Sequence, residues 1–101
     1  MSSRPNLRAP ASYVARGDWK VGEVEGPRLV LYAQAFAAAV EAAMGERTLR
    51  DVARQADLSH TTLLAVLRGQ RWPDMVTIAK LEEAFTRDLW PGRIVRLPRS
   101  E

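Results

Sequence analysis

Apolar residues in the middle of the chain recur at the spacing of helical turns, and residues 48–73, TLRDVARQADLSHTTLLAVLRGQRWP, carry the most informative pattern. Leu49, Val52, Ala53 and Ala56 fall on one helical face, Leu58 follows a break, and Leu63 and Val66 share a face of a second segment. This predicts two short helices around a tight turn. Ser59 suits the N-cap of the second helix, because its hydroxyl can accept from the free N–H groups of the first turn. Gly69 is a natural left-handed stop after Arg68, so the second helix is expected over residues 59–68.

The same reading extends outward from this pair. Gly26-Pro27 opens an earlier helix, with proline at a first position where no hydrogen bond is lost, and Leu29, Ala33, Phe36, Ala37, Val40 and Met44 define its buried face. Ala33, Ala35, Ala37, Ala38, Ala39, Ala42 and Ala43 make it dense in strong helix formers. Their small side chains admit a close helix, either inside the monomer or across a dimer. Gly45 ends it. Beyond the central pair, Trp72-Pro73-Asp74 forms a corner in which proline blocks the preceding helix and Asp74 caps the next. Met75, Ile78, Ala79, Leu81 or Glu82, and Phe85 give that helix an amphipathic face up to about Arg87. Residues 88–92 read as a turn that lays Leu89 and Trp90 on the core. At the termini, residues 1–18 carry Pro5, Pro10, Arg4, Arg8 and Arg16 with little periodicity and are expected as an extended arm. WKVGEV at 19–24 and RIVRL at 93–97 alternate enough for short strands, which could pair within or between subunits.

The string A-x-x-A-D-L-S-x-x-x-L-x-x-V-x-x-G-x-x-x-P, from Ala53 to Pro73, resembles the helix-turn-helix of the phage repressor and Cro-like (XRE) family of DNA-binding proteins. Ala53 matches the small residue at the closest approach of the two helices, and Leu58, Leu63 and Val66 match the core slots. The family usually has glycine where Asp57 stands, a turn position that needs a positive φ. It usually has a polar residue, often glutamate, at the position of Leu67, and Leu64 is also unusually apolar. The resemblance covers roughly residues 29–89. It implies a mainly α fold, a four-to-five-helix repressor-like bundle, with short strands near the termini as an addition the alternating segments allow. The organisation expected is an N-terminal arm over 1–26, a helix-turn-helix domain over 27–92 and a basic C-terminal tail over 93–101.

The resemblance further implies a sequence-specific regulator of transcription that reads double-stranded DNA as a homodimer, with helix 59–68 in the major groove. The base-facing places fall on His60, Thr61 and Ala65, with Thr62 near them. Phosphate contacts fall on Thr48 and Arg50 before the reading helix and on Arg68, Gln70 and Arg71 after it. The alternative is a protein-interaction module, such as an antitoxin-like or regulatory subunit, held through Leu64, Leu67, Trp72 or the tails.

Charge fits the first reading better than its modest total of +3 suggests. Arg47, Arg50, Arg54, Arg68 and Arg71 face only Asp51 and Asp57 across the central pair, whereas Asp74, Glu82, Glu83 and Asp88 outnumber Lys80 and Arg87 behind it. The chain's 101 residues, 47% hydrophobic, suffice for one small domain. There is no cysteine, hence neither a disulfide framework nor a thiolate metal site. His60 is the single histidine, no glycine-rich phosphate loop is present, and Glu82 and Glu83 lie on different helical faces. No enzyme, cofactor or metal is expected. The apolar run 29–40, interrupted by Gln34, is too short for a membrane span, and residues 1–10 lack the apolar stretch of a signal peptide. A cytoplasmic location is expected.

Overall fold

Local capping explains where three of the four helices among the described residues begin and end. In the computed structural model, which describes residues 7–91, a 3-10 turn (Pro10–Tyr13) leads into β1 (Val14–Arg16) and β2 (Glu23–Val24). Four helices follow, α1 (Arg28–Met44), α2 (Leu49–Gln55), α3 (His60–Leu67) and α4 (Met75–Phe85). The architecture is a small, mainly helical bundle with a two-stranded antiparallel sheet in which Val14 faces Val24 and Arg16 faces Glu23. Among the described residues no helix is long and apolar enough to cross a membrane.

Three helices start at a side chain that accepts from the third residue beyond it. Thr48 Oγ1 accepts from Asp51 N at 3.1 Å, Ser59 Oγ from Thr62 N at 3.0 Å, and Asp74 Oδ1 from Thr77 N at 2.7 Å. Each bond satisfies a backbone donor that the helix itself leaves free. Three helices also end alike, on a residue in the left-handed region: Asp57 (φ 59), Gly69 (φ 70) and Thr86 (φ 54). The paired closing bonds run from Leu58 N to Ala53 O and Asp57 N to Arg54 O, from Gln70 N to Ala65 O and Gly69 N to Val66 O, and from Arg87 N to Glu82 O and Thr86 N to Glu83 O. That is the Schellman pattern, and α4 accordingly stops at Phe85 rather than Arg87.

The Thr77 N–H, the Thr77 side chain and, more weakly, Arg71 hold the Asp74 carboxyl below its ordinary value. A depressed folded-state value gives stability that is present above the unfolded value of about 3.8 and is lost as pH falls through the folded one. Asp74→Asn, which keeps the acceptor but cannot titrate, is expected to flatten the acid limb of a thermal-stability profile below about pH 4. Asp74→Ala is expected to cost about 1 kcal/mol at neutral pH.

The core is built from Val30, Ala33, Phe36, Ala37 and Val40 of α1, Val52 and Ala53 of α2 with Ala56 after it, Leu63, Val66 and Leu67 of α3, Leu81 of α4, and Leu89. Ala53, at 3% exposure, keeps α2 and α3 close. Two expected faces are rotated. Leu29 is 39% exposed and gives its place to Val30, which is fully buried. On α4, Met75 is 83% exposed, and the inward face runs through Thr77, Leu81 and Ala84 with Ile78 and Phe85 beside them. After α4, the Glu82 carboxylate accepts from Leu89 N (2.7 Å) and Trp90 N (2.9 Å). This brings Trp90 edge-on to Tyr32 at 6.0 Å and against Phe36 at 5.6 Å, so the turn lays both residues on the core as its sequence suggested.

The N-terminal segment departs most from its expected form. It is not an extended arm from Pro10 onward: Pro10 is buried, and Trp19, at 8% exposure, belongs to the same apolar cluster as the helices. The strand expected over 19–24 shortens to Glu23–Val24, because Trp19 to Gly22 form the turn of a hairpin whose other strand is Val14–Arg16. Gln34 Nε2 fixes that turn by donating to Trp19 O (2.8 Å) and Gly22 O (2.9 Å). The strand expected over 93–97, and its pairing, lie outside the described residues.

At Asp57 the αL conformation is carried by a residue with a Cβ, and Lys80 Nζ donates to its main-chain oxygen at 2.9 Å. The carboxylate is 94% exposed and only 3.4 Å from the same ammonium, a pair of little consequence in water. Asp57→Gly keeps the main-chain bond and relieves the backbone, so stability in urea titration is expected to hold or rise by a few tenths to about 1 kcal/mol. A clear loss would assign the carboxylate a structural part.

Candidate nucleic-acid interface

The inward residues of α3, Leu63, Val66 and Leu67, set the direction of everything else on it. At about 100° per residue, Thr61, Ala65 and Arg68 project opposite that buried face, with Leu64 between them and the His60 flank. Thr61 and Arg68 are exposed, and His60, Leu64 and Ala65 are half-buried. The outward row therefore presents a hydroxyl with a methyl group, an alanine methyl and a guanidinium within two turns.

Thr62 is placed differently from its neighbours. Ser59 Oγ accepts from the Thr62 N–H and donates to Thr62 Oγ1 at 2.8 Å, and Thr62 is half-buried. Its hydroxyl is part of the cap that starts the helix. His60 and Thr61 stay free of such bonds among the described residues.

Around the row, the arginines divide into engaged and free. Arg47 stacks 4.8 Å over Phe85 and donates to Ala43 O and Gln55 Oε1, and Arg54 pairs with Asp51 at 3.5 Å. Arg50, Arg68 and Arg71 are exposed and join no ion pair among the described residues. Thr48 spends its oxygen lone pair on Asp51 N, which leaves its hydroxyl proton to donate. Gln70, exposed, follows Gly69 in the turn that closes α3. These side chains can offer donors to anionic oxygens on either side of α3 and hydrogen-bonding or methyl groups between them. Among the described residues no three His, Cys, Asp or Glu side chains come together as metal ligands would.

The chain matches no protein-family model, no curated protein and no solved structure.

Two of the three apolar residues named as anchors for a protein partner are accounted for by contacts inside the molecule. Leu67 is 4% exposed and belongs to the core, and the Trp72 indole N–H donates to Arg8 O at 2.8 Å. Leu64 and Trp72 are both half-buried, and of the two only Trp72 is tied by a hydrogen bond. The Trp72 contact joins residues 64 positions apart, so no local pattern could signal it.

Proposed function

We propose that this chain is a repressor-like regulator of transcription that binds double-stranded DNA sequence-specifically, with α3 in the major groove. The observation that carries the proposal is the outward row of α3 together with the exposed Arg50, Arg68 and Arg71, none of which joins an ion pair among the described residues. Thr61 offers a donor, an acceptor and a methyl to a base edge, His60 a donor or acceptor, and Ala65 a surface for a thymine methyl. Thr48, Arg50, Arg68, Gln70 and Arg71 hold backbone phosphates, which fixes register without reading sequence. Thr62 serves mainly by capping the helix and touches DNA at its margin.

One α3 reads only a few base pairs, so the protein is proposed to act as a homodimer on partly palindromic sites, in the cytoplasm. The resemblance of residues 53–73 to the XRE helix-turn-helix supports the same reading. The competing interaction module would need exposed anchors, and the burial of Leu67 together with the Trp72 hydrogen bond leaves Leu64 of the three residues named for it, beside the tails, of which residues 1–6 and 92–101 lie outside the described residues. Mobility-shift selection from random duplexes tests the choice. Enrichment of a shared sequence supports DNA reading, whereas no retained duplex at low salt overturns it.

A further inference from the structure

The segment ahead of the helices is fastened to the corner that follows α3. Ala11 N donates to Gly69 O at 2.7 Å, and Trp72 Nε1 donates to Arg8 O at 2.8 Å. The main chain of Arg8 is thereby held at Trp72, the neighbour of Arg71 and Gln70. Its guanidinium lies 4.5 Å over the Tyr13 ring, and the Tyr13 hydroxyl accepts from Arg8 N at 3.2 Å. That N–H bond and the nearby guanidinium hold the Tyr13 hydroxyl below its usual pKa. Arg8 is exposed and joins no ion pair among the described residues.

A guanidinium lying on an aromatic ring keeps its in-plane N–H groups available, and the ring limits the freedom lost when those groups bind. Arg71 shares this edge with the Asp74 carboxylate, whose pKa it lowers. Arg8, its main chain held at the residue next to Arg71, adds an unpaired cation to the field at this end of α3, where Arg71 is partly offset. We infer that Arg8 is a further phosphate-binding residue, completing with Gln70 and Arg71 an anion-binding edge at the end of α3 that takes the phosphodiester backbone of duplex DNA. This rests on the DNA-binding reading above.

The test uses the full chain and measures affinity for a selected duplex and for a scrambled one across a salt series. Arg8→Gln should weaken both duplexes alike and make the slope of log K against log salt shallower by about one. Arg8→Lys should restore the slope, and Tyr13→Leu should lose part of the affinity because the cation loses its platform. Thermal stability of Arg8→Gln should match that of the parent, since Trp72 bonds to the main chain of Arg8. If the parent binds duplex DNA but Arg8→Gln leaves slope and affinity unchanged, the inference about Arg8 fails and the DNA-binding reading stands. A change of base preference in place of a uniform loss also overturns it. If the parent binds no duplex, both fail together.

Discussion

Gly69→Ala is expected to lower the stability of the folded chain by about 2–4 kcal/mol, through two costs that act together. The first is the backbone. Gly69 sits at φ +70, where a residue with a Cβ costs roughly 1–2 kcal/mol. The second is space: a Cβ there would lie 2.6 Å from Cδ2 and Cε2 of Trp19 and 2.9 Å from the Ala11 Cβ. Neither neighbour gives way easily, because Trp19 is 8% exposed and Ala11 is tied by its own N–H to Gly69 O. Forcing such a contact in a packed interior costs about 1–3 kcal/mol. For a domain of this size the loss corresponds to a fall in Tm on the order of 10–20 °C. Gly69→Ala made in a Trp19→Ala background separates the two terms, since the indole atoms nearest the added carbon are then gone. Measured against Trp19→Ala alone, it should show chiefly the backbone cost. Equal losses in the two backgrounds in urea titration would mean that Trp19 does not rest on Gly69.

That contact also shows where sequence reading reaches its limit. The starts of α3 and α4 and the turns that follow α2 and α3 were legible because their determinants are local: Ser59 and Asp74 each bond three residues ahead, and Asp57 and Gly69 take the left-handed conformation that their turns require, whereas the Thr48 cap of α2 was not read from the sequence. The outward placement of Thr61, Ala65 and Arg68 follows from the same periodicity once Leu63 and Val66 face inward. The N-terminal segment was not legible, since what holds it comes from far along the chain, with Gln34 fastening the hairpin and Gly69 and Trp72 receiving the stretch before it. Proline and arginine with no period suggested an arm, and nothing local identifies Trp19 as core. On α4 periodicity allowed more than one face, and Leu81 became the buried centre while Glu82 turned its carboxylate to Leu89 and Trp90. The apolar Leu67 suggested a docking surface for the same reason, because the surface that covers it belongs to the folded whole.

Thr61→Ala and His60→Ala are expected to change which base is preferred at one or two positions of the binding site, each costing roughly 1–3 kcal/mol on the preferred duplex. Thr61 leads because it lies on the outward row of α3 and is exposed, whereas His60 reaches in from the flank. Non-specific binding should barely move, since that term comes from phosphate contacts and the two side chains are placed at base edges. Thr62→Ala should act through the helix cap instead, lowering thermal stability with little change of base preference, because it removes the oxygen that accepts from Ser59. Arg71→Ala should weaken selected and scrambled duplexes similarly and make the salt slope shallower by about one, since a phosphate contact carries no sequence information. Affinities of the four variants for both duplexes over a salt series distinguish these outcomes. Should Thr61→Ala and His60→Ala leave base preference untouched while Leu64→Ala abolishes a complex with another protein, α3 would be a protein-docking element and the proposal that it reads DNA would fall.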